Sequence, residues 1–272
     1  MNYFTTGTTA LFSPADRPDR ALKALASPSD LVILDLEDAV ALDQESKHMA
    51  RTGLHPLLQQ VPERTGVVIR INSPETIEGK KDLREIAHLS GMSGLPNFAI
   101  MVPKLTLSTP LNEIPQNHPI IGLIETADAV RDLFAIAAHP RVDRLALGAV
   151  DLSTELNCDS TSATIDHVRA QLVIASVAAG VAAPLESPCV HFQDTGIVKD
   201  AARRARRDGF GGMLCIHPRQ LEGVSEAFRP DEKDIIWAQK VLNTGGAAAS
   251  VDGEMVDRPV LMRAQKILAA AE

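Results

Sequence analysis

Aromatic side chains are scarce in this chain: Phe, Tyr and Trp together make up 3%, with a single Trp and a single Tyr. Yet 45% of the 272 residues are hydrophobic, so any large core must be built from Ala, Val, Ile and Leu. Cysteine is equally sparse. Cys158, Cys189 and Cys215 are odd in number and far apart, which speaks against a disulfide framework or a zinc-ligand spacing. There is no basic excess. The formal net charge is −8, which argues against a general nucleic-acid or membrane-surface binder but leaves room for a local basic pocket that takes an anionic ligand. No apolar run approaches the length of a membrane span. The first nine residues lack a charged stretch followed by an apolar one, so no signal peptide is expected and a cytoplasmic protein is. No glycine-rich phosphate loop of the P-loop or dinucleotide type is present. No Ser–His–Asp arrangement can be placed.

What the chain does have is a series of eight short apolar runs: Ala10–Phe12, Leu31–Leu34, Val67–Ile71, Phe98–Val102, Ile120–Ile124, Leu145–Leu147, Val181–Leu185 and Met213–Ile216. Helix-length segments separate most of them, as expected of parallel strands joined by crossover helices. Helices are expected over Asp19–Ala26, Asp43–Gln60 (capped by Asp43), Lys80–Leu89, Ala127–Ala138, Ile165–Ala179 and Gly196–Arg207. Eight such units predict an α/β fold, a closed (β/α)8 TIM barrel over residues 1–230, whose active site lies at the C-terminal ends of the strands. Residues 231–272 are then an extension: a helix over Asp231–Asn243, a small-residue hinge over Thr244–Val251 and a terminal helix over Met255–Ala271. Such an extension suits a lid, an oligomer contact, or both.

In a barrel, the polar residues that end the runs converge on one mouth. Glu125 and Asp151 end neighbouring strands and can share one cation. Magnesium suits them, because it takes few protein carboxylates and keeps water and substrate oxygens as its other ligands. No His or Cys stands beside either acid, which weighs against zinc. The plainer alternative is that each caps the helix that follows. Arg70 lies inside an apolar strand, where an arginine is costly unless paired. It can bind a carboxylate through both arms of its fork, or form an internal ion pair with Asp35 or Glu37, or do both. Asp35 and Glu37 share one strand face and Asp38 starts the loop. They fit a supporting role, orienting Arg70, Lys104 or a metal-bound water, or a purely structural ion network. Lys104 sits at the mouth of strand 4. Arg17 and Lys23 could hold phosphates or simply be solvated, and His217 could be a satisfied structural residue. Arg203, Arg204, Arg206 and Arg207 read as a solvated helix face.

The segments LFSPADRPDR, VILDLEDAV, RIN, VPK, ETA, GAVDL, GFGGMLCIHPRQ, AFRP and GEMVDRPVL occur in order from about residue 10 to 271. Together they resemble the citrate lyase β-subunit-like proteins of the HpcH/HpaI aldolase superfamily, which includes malyl-CoA and citramalyl-CoA lyases. The resemblance implies a TIM barrel, usually trimeric, that acts on a CoA thioester with magnesium held by Glu125 and Asp151. It assigns Arg70 to the RIN arginine. It puts CoA contacts at Phe12, Arg17, Lys23, Ile216 and His217. It makes Asp257 a catalytic acid or base that reaches a neighbouring subunit. The expected substrate contacts are then Arg70, Lys104, Glu125, Ala149, Val150 and Asp151, with backbone N–H groups of the last three facing oxyanion charge. The expected activity is cleavage or formation of a short 3-hydroxy-3-carboxyacyl thioester such as citramalyl-, malyl- or citryl-CoA, with an α-keto acid as partner. An acyl-carrier-protein thioester, as for the β subunit of a citrate lyase complex, and a catalytically silent barrel are the alternatives. Two departures stand out. Asp128 follows ETA where relatives often carry Arg. Around strand 7, Glu186 and His191 replace the usual acids, which suggests a different acyl group.

Overall fold

The computed structural model describes residues 3–244 and 249–269. Eight parallel strands close a barrel in chain order: β1 (Thr9–Pro14), β2 (Leu31–Asp35), β3 (Gly66–Arg70), β4 (Phe98–Val102), β5 (Ile120–Ile124), β6 (Arg144–Leu147), β7 (Ala182–Glu186) and β8 (Gly212–Cys215). The helices are α1 (Tyr3–Thr6), α2 (Pro18–Leu25), α3 (Gln44–Leu58), α4 (Ile77–Ser90), α5 (Ala127–Arg131), α6 (Leu133–Ala137), α7 (Ala149–Glu155), α8 (Ala163–Ala179), α9 (Thr195–Asp208) and α10 (Gln220–Phe228). Each expected strand is present within about two residues of its apolar run. Asp43 caps α3 as expected, accepting a hydrogen bond from the Ser46 amide.

Alternation along the strands produces two apolar layers. Ala10, Leu31, Ile33, Val68, Ala99, Met101, Ile121, Leu123, Ala146, Leu185 and Leu214 fill the barrel interior. The side chains between them on the same strands, such as Val32, Leu34, Val67, Ile69, Ile100 and Leu145, pack outward against the helices. Small and branched residues suffice for both layers, so the shortage of aromatics is no handicap. At the floor, Arg144 is fully buried and donates to the carbonyls of Gly7 (2.9 Å) and Ala183 (2.7 Å).

Three expectations need correction. The helix expected over Ala127–Ala138 is two short helices, because Asp132 leaves the helical region (φ −100°, ψ 11°). Arg131 bridges Asp128 and Asp132 across that break. The hinge expected over Thr244–Val251 is in part a strand: β9 (Ala249–Val251) pairs antiparallel with β10 (Glu254–Val256), and residues 245–248 lie outside the described set. The signal was present in Asp252–Gly253, whose positive φ angles (51° and 90°) make the tight turn that Asp-Gly favours. The terminal helix, α12 (Arg258–Ala269), therefore begins after Met255 rather than at it. Helix α11 (Glu232–Asn243) and α12 pack on each other, burying Ala238, Val241, Val256 and Ala264 beside Trp237. No helix among the described residues is long and apolar enough to cross a membrane.

Candidate active site

The site begins with strand register. Asp35 and Arg70 are aligned partners on β2 and β3, so in parallel strands their side chains emerge on the same face. That face is the inner one, since Ile33 and Val68, two residues earlier, lie in the barrel interior. The Arg70 fork closes on Asp35 with two hydrogen bonds, Nε to Oδ1 (2.7 Å) and Nη2 to Oδ2 (2.6 Å). Nη1 faces Glu37 Oε2 at 3.1 Å and Asp38 Oδ2 at 3.4 Å. The Phe12 ring lies 4.7 Å from the guanidinium carbon. Burial alone would lower the Arg70 pKa, but these three acids raise it well above the ordinary value. The internal ion-pair reading of Arg70 therefore holds, and strand register places that pair at the mouth. Asp35 has a second task. Its oxygens accept the amides of Glu37 (2.9 Å) and Ala39 (3.0 Å), which shapes the turn that carries Glu37 and Asp38.

Lys104 joins the two walls of the mouth. Its ammonium binds Glu37 Oε1 at 2.9 Å, and its backbone N–H donates to Glu125 Oε1 at 2.8 Å. It reaches both from a left-handed backbone (φ 49°), an uncommon conformation for a lysine that tertiary contacts must hold. Burial lowers the ammonium pKa and Glu37 more than reverses this.

Glu125 ends β5 inside the barrel, buried and with the Lys104 amide as its hydrogen-bond partner. Burial, then the charges of Glu37 and Asp151, push its carboxyl up to about 8. Burial likewise raises Glu37. Among the described residues no Lys or Arg side chain is within salt-bridge distance of Glu125 or Asp151. Helix capping does not account for either acid. Thr126 caps α5, accepting from the Ala129 amide, and Asp151 lies in the first turn of α7, after Gly148. Gly148 itself goes unnoticed in the sequence as a site residue. A Cβ there would lie 2.5 Å from the Glu125 Cβ and 2.7 Å from Oε2, so the acid occupies space that only glycine leaves.

The remaining sequence candidates divide. Ala149 N–H is already taken, donating to Ser187 Oγ at 3.1 Å, whereas the amides of Val150 and Asp151 precede the first intrahelical bond of α7, from Leu152 to Gly148. Arg17 is half exposed and faces Asp19 at 3.6 Å, and Lys23 is exposed. Ile216 is 44% exposed at the end of β8, and His217 stacks on Phe192 with ring centroids 4.7 Å apart. Gln220 Oε1 accepts both the Ile216 and His217 amides (2.7 and 3.1 Å), fixing that turn. Asp257 caps α12, accepting the Val260 amide at 3.1 Å, and is exposed. Glu186 does not face the mouth. Leu185 takes the inward position, so Glu186 points outward, buried against Arg169 of α8 and bonded to the Ser187 amide at 2.8 Å. Its replacement of a family acid is thus met by a helix-layer ion pair. The arginines of α9 are not simply solvated: Arg204 pairs with Asp166 at 2.5 Å, and Arg206 with Asp234 at 3.2 Å.

An acid-lined mouth at the C-terminal end of a parallel barrel, with one buried arginine opposite two carboxylates that lack a cation, can be compared with known proteins. The family model of the HpcH/HpaI aldolase/citrate lyase family matches residues 8–218. The chain belongs to this family. A citrate lyase subunit beta-like protein of Mycobacterium tuberculosis (strain ATCC 25618 / H37Rv) is 35% identical over 282 residues, covering 100% of this chain and 98% of that protein. A (3S)-malyl-CoA thioesterase of Cereibacter sphaeroides (strain ATCC 17025 / ATH 2.4.3) is 28% identical, with 96% and 93% coverage. A crystal structure of the protein CitE from Mycobacterium tuberculosis, in complex with magnesium, acetoacetate and coenzyme A, superposes with a TM-score of 0.82 at 33% identity and 98% coverage of both chains. The resemblance drawn from LDLEDAV, RIN, ETA and GAVDL is therefore to the right family, and the family's fold is the one observed.

Proposed function

We propose that this protein is a magnesium-dependent carbon–carbon lyase of the retro-aldol or Claisen type. Its substrate would be a short 3-hydroxy-3-carboxyacyl-CoA such as citramalyl-, malyl- or citryl-CoA, and its products an acyl-CoA and an α-keto acid. The observation that carries this reading is the charge imbalance at Glu125 and Asp151: two acids at one mouth that repel each other, with no Lys or Arg side chain among the described residues within salt-bridge distance of either. That donor set fits magnesium, a hard cation content with one or two protein carboxylates, and no group of three or more His, Cys, Asp or Glu suited to a metal occurs among the described residues. When bound, the ion supplies Lewis-acid polarisation of the keto-acid oxygen.

The chain's own residues do the rest. Arg70, its guanidinium fixed in orientation by Asp35, offers positive charge to the oxygen that becomes anionic as the C–C bond breaks. The amides of Val150 and Asp151 add donors to the same charge. Lys104 and Glu37 keep the two walls in register. Phe12, Arg17, Lys23 and the Ile216–His217 turn would carry the CoA portion, with Arg17 and Lys23 free to meet phosphates. Asp257 would exchange the proton at the acyl carbon of a neighbouring subunit's site. Residues 1–230 would then act as the catalytic domain and 231–272 as a lid shared within a cytoplasmic homotrimer.

The direct test incubates the protein and magnesium with a panel of 3-hydroxy-3-carboxyacyl thioesters, linked to CoA or to an acyl carrier protein, with products identified by mass spectrometry. The expected result is an acyl-CoA plus a keto acid from one CoA thioester. Preference for the carrier-linked thioester would make the protein a citrate lyase β subunit, and release of free CoA with the intact hydroxy acid would make it a thioesterase. No product from any thioester would overturn the lyase reading.

A further inference from the structure

One buried cation lies behind the mouth and is not part of it. Lys47 is on α3, and its side chain is 1% exposed. An ammonium has three donors, and all three are used. Nζ bonds the carbonyl oxygens of Leu36 (2.6 Å) and Glu37 (2.7 Å) and the Asn72 side-chain oxygen (3.0 Å). Among the described residues no carboxylate lies within salt-bridge distance of it. Burial penalises this charge more than the fields of Asp82, Asp35, Glu37 and Asp38 restore it, so its placement calls for a reason beyond packing.

The contacts supply one. Leu36 and Glu37 are the first two residues after β2, and the same Glu37 sends its carboxylate to Arg70 and Lys104. Asn72, two residues beyond Arg70, also donates to the Leu36 carbonyl (2.9 Å) and is held from behind by Asp82, which is bonded to Arg51. Lys47 and Asn72 thus tie the segment after β2 to the segment after β3, one residue beyond Asp35 and two beyond Arg70. We propose that Lys47 is a positioning residue for the active site: by fixing the Leu36 and Glu37 carbonyls it aims the Glu37 carboxylate, and through it sets the attitude of the Arg70 guanidinium.

The kinetic part of the test rests on the lyase reading; a spectroscopic part does not. Lys47→Met removes all three donors, and Lys47→Gln, which keeps a donor, is measured in parallel in case the first variant does not fold. Expected is a loss of kcat of about 10- to 100-fold per folded site, the range for groups that orient a site at one remove, with KM for the thioester within about twofold. In a double-mutant cycle with Glu37→Gln the two losses should be strongly less than additive, because both act through one carboxylate. The Arg70 Nε–H resonance, identified by its disappearance in Arg70→Lys, should be slowly exchanging in the wild-type protein and broadened or fast-exchanging in the Lys47 variants. Wild-type kcat, additive losses, or an Arg70 resonance that is unchanged in both variants would show that Lys47 only supports the fold, and would overturn the proposal. If the wild-type protein cleaves no thioester but its Arg70 resonance still responds to Lys47, the lyase reading fails and the positioning role stands.

Discussion

Glu125 and Arg70 solve opposite electrostatic problems within one mouth. Arg70 is surrounded by more negative charge than it needs, Glu125 by less positive charge than it needs. The first prediction follows from that difference. Glu125→Gln and Asp151→Asn should each abolish magnesium-dependent turnover while leaving the circular dichroism spectrum and melting temperature close to wild type. Tight magnesium binding by the double variant in calorimetry would remove both acids from the metal site. Arg70→Lys keeps the charge but loses the two-armed contact with Asp35, so turnover should fall by about 100-fold or more; wild-type turnover would make Arg70 purely structural. Gly148→Ala tests a residue that sequence alone did not single out. Its methyl group would collide with the Glu125 side chain, so activity should drop at least about tenfold while the barrel stays folded, and a crystal structure should show the Glu125 carboxylate displaced. Asp35, Glu37 and Arg70 were legible in the sequence because they are charged residues in or beside apolar strands. Gly148 and Lys47 were not, since their importance lies in which atoms stand beside them.

At the level of elements, the strands were the most readable part of the chain. Runs of Val, Ile and Leu bounded by Pro and charged residues coincide with β2 through β6 almost to the residue. Helices were less so, as at Asp132, where the backbone leaves the helical region between α5 and α6. The β4 and β5 ends of the barrel are further tied by His118, just before β5. It stacks on Phe98 (4.0 Å), and Nδ1 faces the Phe98 carbonyl at 2.9 Å. Burial, more than the nearby Arg141, holds this imidazole neutral below its usual value of 6.5. A base whose folded pKa is depressed takes up protons more readily when unfolded. The contribution of His118 to stability is therefore complete above pH 6.5 and is lost as pH falls through 6.5 toward the folded value. Between about pH 8 and pH 5 the slope of urea midpoint against pH should be less positive in His118→Gln than in the wild type. An unchanged slope would show that other groups govern acid stability.

On the scale of the whole molecule, the question is where Asp257 acts. In this chain it caps α12 and is exposed, with its carboxylate occupied by the Val260 amide. If it completes a neighbour's site, Arg70→Ala and Asp257→Ala, each inactive alone, should regain activity when unfolded together and refolded as mixed oligomers. Random mixing in a ring pairs an intact Arg70 with a neighbour's intact Asp257 at about a quarter of sites, and activity should return to roughly that level. No recovery, with mixed oligomers verified by native mass spectrometry, would rule out a shared site.

The sequence by itself determined the barrel, because eight short apolar runs at crossover spacing leave parallel closure as the way to bury them. It also determined which charged residues stand at strand ends, and that magnesium suits a pair of carboxylates better than zinc. Tertiary structure alone decided how those charges are shared. Arg70 closes on Asp35 because strand register aligns them, Lys104 reaches Glu125 only from a left-handed backbone, and Glu186 faces outward because Leu185 takes the inward position. Side-chain partners belong to distances across strands that lie tens of residues apart in the chain. Composition and periodicity describe one strand at a time, so they cannot carry that information.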